Sequence, residues 1–140
     1  MKKYCIVIVT AVLGVICVLF VILERNKYDY TNVDMTVNNE LNVRFTVEIE
    51  EDMAEFHICN NDAVDFSLGL QYGVEVWKND KWEDIPRTGM WDAAAIYLTP
   101  GKEYIQEIPV KVLGARRGRA YRIRKEINDC VCYSEVFIMK

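Results

Sequence analysis

The chain has 140 residues, is 51% hydrophobic, and carries 21 acids and 17 bases for a formal net charge of −4. Only Lys2 and Lys3 precede an uncharged stretch at residues 4–23, so the part after it holds 15 bases against 21 acids, a net −6. That balance argues against nucleic acid as a partner, because phosphate binding needs net positive surface, and the remaining length of about 110 residues suits one domain with one core.

Residues 4–23 read YCIVIVTAVLGVICVLFVIL. At about 1.5 Å per residue a helix of that length spans about 30 Å, the thickness of a bilayer's hydrocarbon core. The segment is apolar on every face, unlike the one-sided stripe of a helix packed on a core. A cleaved signal peptide is the rival reading. Its apolar region is usually about 7–15 residues and ends in small residues. Here Glu24, Arg25 and Asn26 follow, with no Ala-x-Ala pattern before them. Residues 1–25 are therefore expected to form a single membrane anchor that contacts lipid through residues 4–23. Lys2 and Lys3 on one side nearly balance Arg25 and Lys27 on the other under the positive-inside rule. A two-lysine head before a long apolar run also begins an export signal, which places the domain on the extracellular side of the cell membrane.

Residues 26–35 read as a polar stalk, in which Tyr28 and Tyr30 sit where interface aromatics are common. The folded domain is expected over 36–140. Leu41, Val43, Phe45, Val47 and Ile49 alternate with polar residues, the period of a strand with one buried face. The alternation resumes at 53–59, with Phe56 and Ile58 inward and His57 outward or at the sheet edge. Asn60-Asn61-Asp62 marks a turn. In QYGVEVWKNDKWEDIP (71–86), Asn79-Asp80 between Trp77 and Trp82 predicts a hairpin, with both tryptophans as structural sheet cover and an exposed aromatic platform as the alternative. Residues 87–99 are the least regular part, where Ala93-Ala94-Ala95 forms either one helical turn or a crossing loop.

Pro100-Gly101 turns the chain, and Tyr104, Gln106, Ile108, Val110 and Val112 follow at strand spacing. Pro109 lacks a ladder donor, so this strand belongs at an edge or holds a bulge. A glycine-bounded basic loop comes next, with Arg116, Arg117 and Arg119, leading into AYRIRKEI (120–127), where Tyr121 and Ile123 share a face. Asn128-Asp129 turns into a last strand over 131–139. Many short strands without a helical period point to an all-β sandwich.

Chemistry is sparse. The chain shows no glycine-rich phosphate loop, nucleophile elbow or metal-binding helix signature. His57 is the only histidine, and Cys130-x-Cys132 alone is a weak metal signal, so no catalytic residue, cofactor or metal is expected. His57 and Cys59 lie on one strand face about 7 Å apart, with nothing to orient either. Three cysteines follow the apolar stretch, so a Cys59 bridge to Cys130 or Cys132 is permitted outside the cell but leaves one unpaired. Charge is uneven: residues 29–65 hold ten acids and one base, Arg44, while 66–140 hold ten acids and twelve bases. This predicts either opposite charges meeting across a sheet or an acidic face for a cationic partner.

A strand ending in Asn60-Asn61, then Tyr72-Gly73, the Trp77…Trp82 hairpin, Thr99-Pro100-Gly101 and Gly118-Arg-Ala-Tyr121-Arg-Ile, closed by the aromatic-apolar strand at 133–138, resembles the bacterial immunoglobulin-like domains of Gram-positive secreted and surface proteins. The resemblance covers roughly residues 36–139. It implies a seven-strand immunoglobulin-like sandwich without catalytic machinery. Gly118-x-x-Tyr121 resembles a tyrosine corner, with Tyr121 buried and structural and Arg122 and Arg124 on the opposite side. The expected function is a non-catalytic module for an unidentified protein or cell-envelope partner, with Arg116, Arg117 and Arg119 as the contact loop. The alternative is a structural spacer or accessory subunit without a ligand.

Overall fold

Alternating apolar residues build ten strands: β1 (Val43–Glu50), β2 (Met53–Asn60), β3 (Phe66–Gly69), β4 (Gly73–Lys78), β5 (Lys81–Asp84), β6 (Ala95–Leu98), β7 (Glu103–Pro109), β8 (Ala120–Ile127), β9 (Cys130–Tyr133) and β10 (Phe137–Ile138). One helical turn, α1 (Val110–Leu113), separates β7 from β8. The computed structural model describes residues 32–87 and 94–140. The expected membrane helix at 4–23 and most of the stalk lie outside these. Among the described residues no helix is long and apolar enough to cross a membrane.

The strands form two antiparallel sheets. In the smaller, β2 lies between β1 and β7, with register running from Val43↔Asn60 to Glu50↔Met53 and from Cys59↔Glu103 to Met53↔Pro109. In the larger, β8 is the axis. Arg124 pairs with Gly73 on one side and Tyr133 on the other, and Ile127 likewise pairs with Leu68 and Cys130. So β4 and β3 run end to end along one flank of β8, and β9 and β10 along the other. β5 and β6 extend the first flank. Two tight hairpins follow from their turn residues. Asn79 and Asp80 take φ of 53° and 58°, and Asn128 and Asp129 take 49° and 62°. Asn and Asp tolerate that left-handed conformation, which matches strand twist in a two-residue turn.

The core lies between the sheets. Phe45, Phe56 and Ile58 face Phe66, Val74, Ile123 and Ile127, all 3% exposed or less. Phe56 stands edge-on to Phe45 at 6.3 Å and, across the sheets, to Tyr72 at 5.0 Å. Asn60, fully buried, closes the far end: its amide donates to Val64 O and Leu98 O, both at 2.8 Å.

The structure corrects four expectations. The strand through Tyr104 ends at Pro109, and Val110 and Val112 belong to α1 instead. Pro109, at φ −58°, ends the ladder and precedes the helical turn, so Leu113 is buried while Val112 is 48% exposed. The final strand is broken into β9 and β10. Among the described residues there are ten strand segments rather than seven, and the interruption of both flanks of β8 accounts for two of the three extra segments. The irregular region contributes β6, which pairs Phe66↔Leu98 through Gly69↔Ala95. Ala95 opens that strand, whereas Ala93 lies outside the described residues. Pro109 does sit in an edge strand, since among the described residues β7 pairs only with β2.

Candidate functional site

The arginine loop is built by its neighbours. Pro109 starts α1, Leu113 plugs the core, and Gly114 ends the helical turn at φ 68°, a conformation that glycine adopts without Cβ strain. The chain then crosses between sheets and enters β8. Tyr121, 1% exposed, holds the crossing. Its hydroxyl accepts a hydrogen bond from Arg116 N–H at 2.6 Å and donates to Arg116 O at 3.1 Å. This is the corner geometry that Gly118-x-x-Tyr121 implies. Gly118, buried at φ 75°, donates its N–H to Met139 O at 2.7 Å, and Met139 N–H donates to Arg119 O at 3.2 Å. The loop is therefore fixed at both its middle and its end.

Arg116 and Arg117 are exposed and Arg119 is half-buried. Among the described residues none of the three forms an ion pair, whereas Arg44, Arg122 and Arg124 each do. In the sequence Lys111 lies five residues before Arg116, whereas Lys140 lies 21 residues after Arg119. The structure brings both to the same end of the sandwich, Lys111 on α1 and Lys140 next to the Met139 bonds.

Trp77 and Trp82 are cross-strand neighbours on the outer face of the larger sheet, their rings 5.2 Å apart and nearly edge-to-face. Both are half-buried. Arg122 lies over Trp82 (4.6 Å) on one side and Tyr133 (4.0 Å) on the other, and its Nε and guanidinium nitrogen each reach Glu75 Oε2 at 2.6 Å. Arg124 reaches Asp84 at 3.1 Å. These contacts engage the Trp82 ring with Arg122 on one side and Trp77 edge-to-face. Arg122 and Arg124 face away from Tyr121, and their partners are the opposite charges expected across a sheet.

A family model for bacterial Ig-like domains matches residues 29–137. The chain belongs to the bacterial Ig-like domain family. Membership points to a non-catalytic interaction or structural module. No curated protein matches the chain significantly.

His57 faces outward on the smaller sheet, with Glu55 at 3.3 Å and Glu103 at 3.5 Å. The same face carries Glu48, Glu55 and Glu107 as direct cross-strand neighbours, an acidic row that Arg44 only partly offsets. Among the described residues no group of His, Cys, Asp or Glu could hold a metal ion. Cys59, Cys130 and Cys132 are all free thiols. Cys132 is fully buried, and burial, with smaller contributions from Cys130 and Glu40, pushes its thiol up to about 11.

Several polar groups are buried against the sequence pattern, among them Glu75, Ser134 and Lys125. Lys125, 1% exposed, points between the sheets and donates to Gln106 Oε1 at 2.8 Å and Gln71 O at 3.1 Å. Gln106 donates in turn to Leu70 O at 2.8 Å. The cause is a bulge. Ile127↔Leu68 and Arg124↔Gly73 differ in register by two residues, so 70–72 bow away from β8 and their carbonyls lose ladder partners. Lys125 and Gln106 supply donors to two of them. Burial lowers the Lys125 amine to about 8. A cleft of about 740 Å³ opens beside the bulge, lined by Gln71, Gly73, Ala95, Arg124, Lys125 and Glu126 among others. Its charges are of both signs, and two of the amine's donors are committed to the protein. Only the break in alternation at Lys125, a charge in an inward row, marks this group in the sequence.

Proposed function

We propose that this Ig-like domain is a membrane-anchored, extracytoplasmic interaction module without catalytic activity. Residues 4–23 hold it in the cell membrane as a single pass, with the domain on the extracellular side. The observation that carries the interaction role is the arginine loop. Exposed guanidiniums without ion-pair partners among the described residues are presented on a backbone already fixed by Tyr121 and Gly118, so binding them costs little ordering entropy. The anchor is supported by the length and uncharged character of 4–23, and the absence of a nucleic-acid role by the net −6 of the remainder.

Protease shaving of intact cells, following a tag at Lys140, tests placement. Loss of the tag while cytoplasmic controls survive supports the reading, and survival until lysis overturns it. Replacing Arg116, Arg117 and Arg119 by glutamine then separates a module from a structural spacer. Lost envelope association with an intact fold supports the module, and unchanged association supports the spacer.

A further inference from the structure

We infer that the arginine-loop end of the sandwich is a membrane-docking surface that binds the anionic headgroups of the bilayer holding the anchor. The inference rests on the anchored reading above. Four features converge on that end. Arg116, Arg117 and Arg119 lack ion-pair partners among the described residues, although the domain is acidic overall. Lys140 joins them through the Gly118–Met139 and Met139–Arg119 backbone bonds. α1 adds exposed Lys111 and, beside it, Val112 at 48% exposure. An exposed apolar side chain among cations is the composition of an interfacial contact: the cations meet phosphate and the apolar group enters the headgroup boundary.

The fourth feature is where the chain comes from. Asn39 brackets Tyr133, donating to its carbonyl at 2.9 Å and accepting from its N–H at 2.8 Å. Tyr133 is level with Arg124 of β8. Five residues earlier, Asp34 lies within reach of the charge on Arg122, two residues nearer the loop. Tracing back from Asn39, the chain thus runs toward the arginine-loop end as it leaves the described domain for the anchor. Ten residues lie between Leu23 and Asp34, and the eleven Cα–Cα steps reach at most about 38 Å, enough for this end to lie on the bilayer.

The β1–β2 turn opposes the effect. Val110 N–H donates to Asp52 O at 2.7 Å, so Glu50, Glu51 and Asp52 share the same end. The β4–β5 hairpin also reaches this end, since Val76 pairs with Tyr121, and adds Lys78 and Lys81 against Asp80 and Glu83, so the cations still outnumber the acids, and the arginines stand on a separate crossing loop.

The test uses the full chain in lipid nanodiscs of phosphatidylcholine, alone or mixed with phosphatidylglycerol. Phenylglyoxal modifies accessible guanidiniums, and peptide mass spectrometry reads each arginine. Modification of Arg116 and Arg117 is expected to slow by roughly fivefold in the anionic discs, the factor that one basic side chain gains near an anionic surface. Arg44, 61% exposed at the opposite end of the sandwich, is the internal control and keeps its rate. High salt removes the difference. Equal rates in both lipids, with the chain still disc-bound, overturn the docking surface and leave the anchor standing. A chain that does not enter the discs overturns the anchor and the docking surface together. Shielding by soluble poly(glycerol phosphate) in zwitterionic discs, with none from phosphatidylglycerol, assigns the loop to a free polymer and overturns the lipid assignment.

Discussion

Lys125 gives the sharpest test of the energetics. It is a buried amine whose oxygen partners are neutral amide groups, so folding desolvates its charge with no carboxylate to offset it. Its amine falls from 10.5 to about 8 in the fold. The unfolded chain therefore binds more protons between those values, and stability rises with pH there. The destabilisation by the charged form is fully present below about 8 and is lifted as pH rises toward 10.5. Linkage through these two values gives a gain of about 1 kcal/mol between pH 7 and pH 9. Above pH 9 the raised Cys132 thiol, and then Tyr72 and Tyr104, which burial also raises, act in the opposite direction. The comparison is therefore kept at or below pH 9 and made against Lys125→Met. That variant fills similar volume without charge and leaves Gln71 O and Gln106 Oε1 unbonded to it. The lost charge-assisted bonds and the relieved desolvation nearly offset, so its stability at pH 7 is expected within about 2 kcal/mol of wild type. Urea unfolding followed by tryptophan fluorescence measures both proteins at both pH values. The wild type should gain about 1 kcal/mol relative to the variant on going to pH 9. Parallel pH dependence of the two would refute a buried, charged Lys125.

Three further outcomes follow from single contacts. Tyr121→Phe deletes both bonds to Arg116 and should cost about 1–2 kcal/mol, with faster amide exchange at Arg116 while the β2 amides stay protected. Arg122→Met leaves Glu75 with no guanidinium closer than Arg124 at 3.9 Å and should cost about 2 kcal/mol in urea unfolding, whereas Arg44→Met, whose pair is exposed, should cost under about 0.5 kcal/mol. At pH 8, thiol alkylation read by peptide mapping should label Cys59 and Cys130 in the folded protein and reach Cys132 only on unfolding, because that thiol is both enclosed and held protonated.

Local chemistry alone determined much of this protein. The β1–β2 alternation, the Asn79-Asp80 and Asn128-Asp129 hairpins, the edge position of Pro109 and the outward side of His57 each depend on residues close in the chain. Period and turn type are properties of a few neighbouring residues. The Gly118-x-x-Tyr121 corner was legible for the same reason, since its hydrogen bonds span five residues. Tertiary structure decided the rest. β3 and β6 are four-residue strands whose identity comes from pairing with each other and with Ile127, not from their own pattern. Val112 and Leu113 exchange inside for outside because a proline stops the ladder one turn earlier. Lys125 looks misplaced in its strand until the bulge at 70–72, more than fifty residues away, leaves carbonyls for it to bond. Lys140 joins Lys111, Arg116, Arg117 and Arg119, which are already neighbours in the chain, only when the chain end packs against the crossing loop, because charge acts through distance in space and not along the sequence.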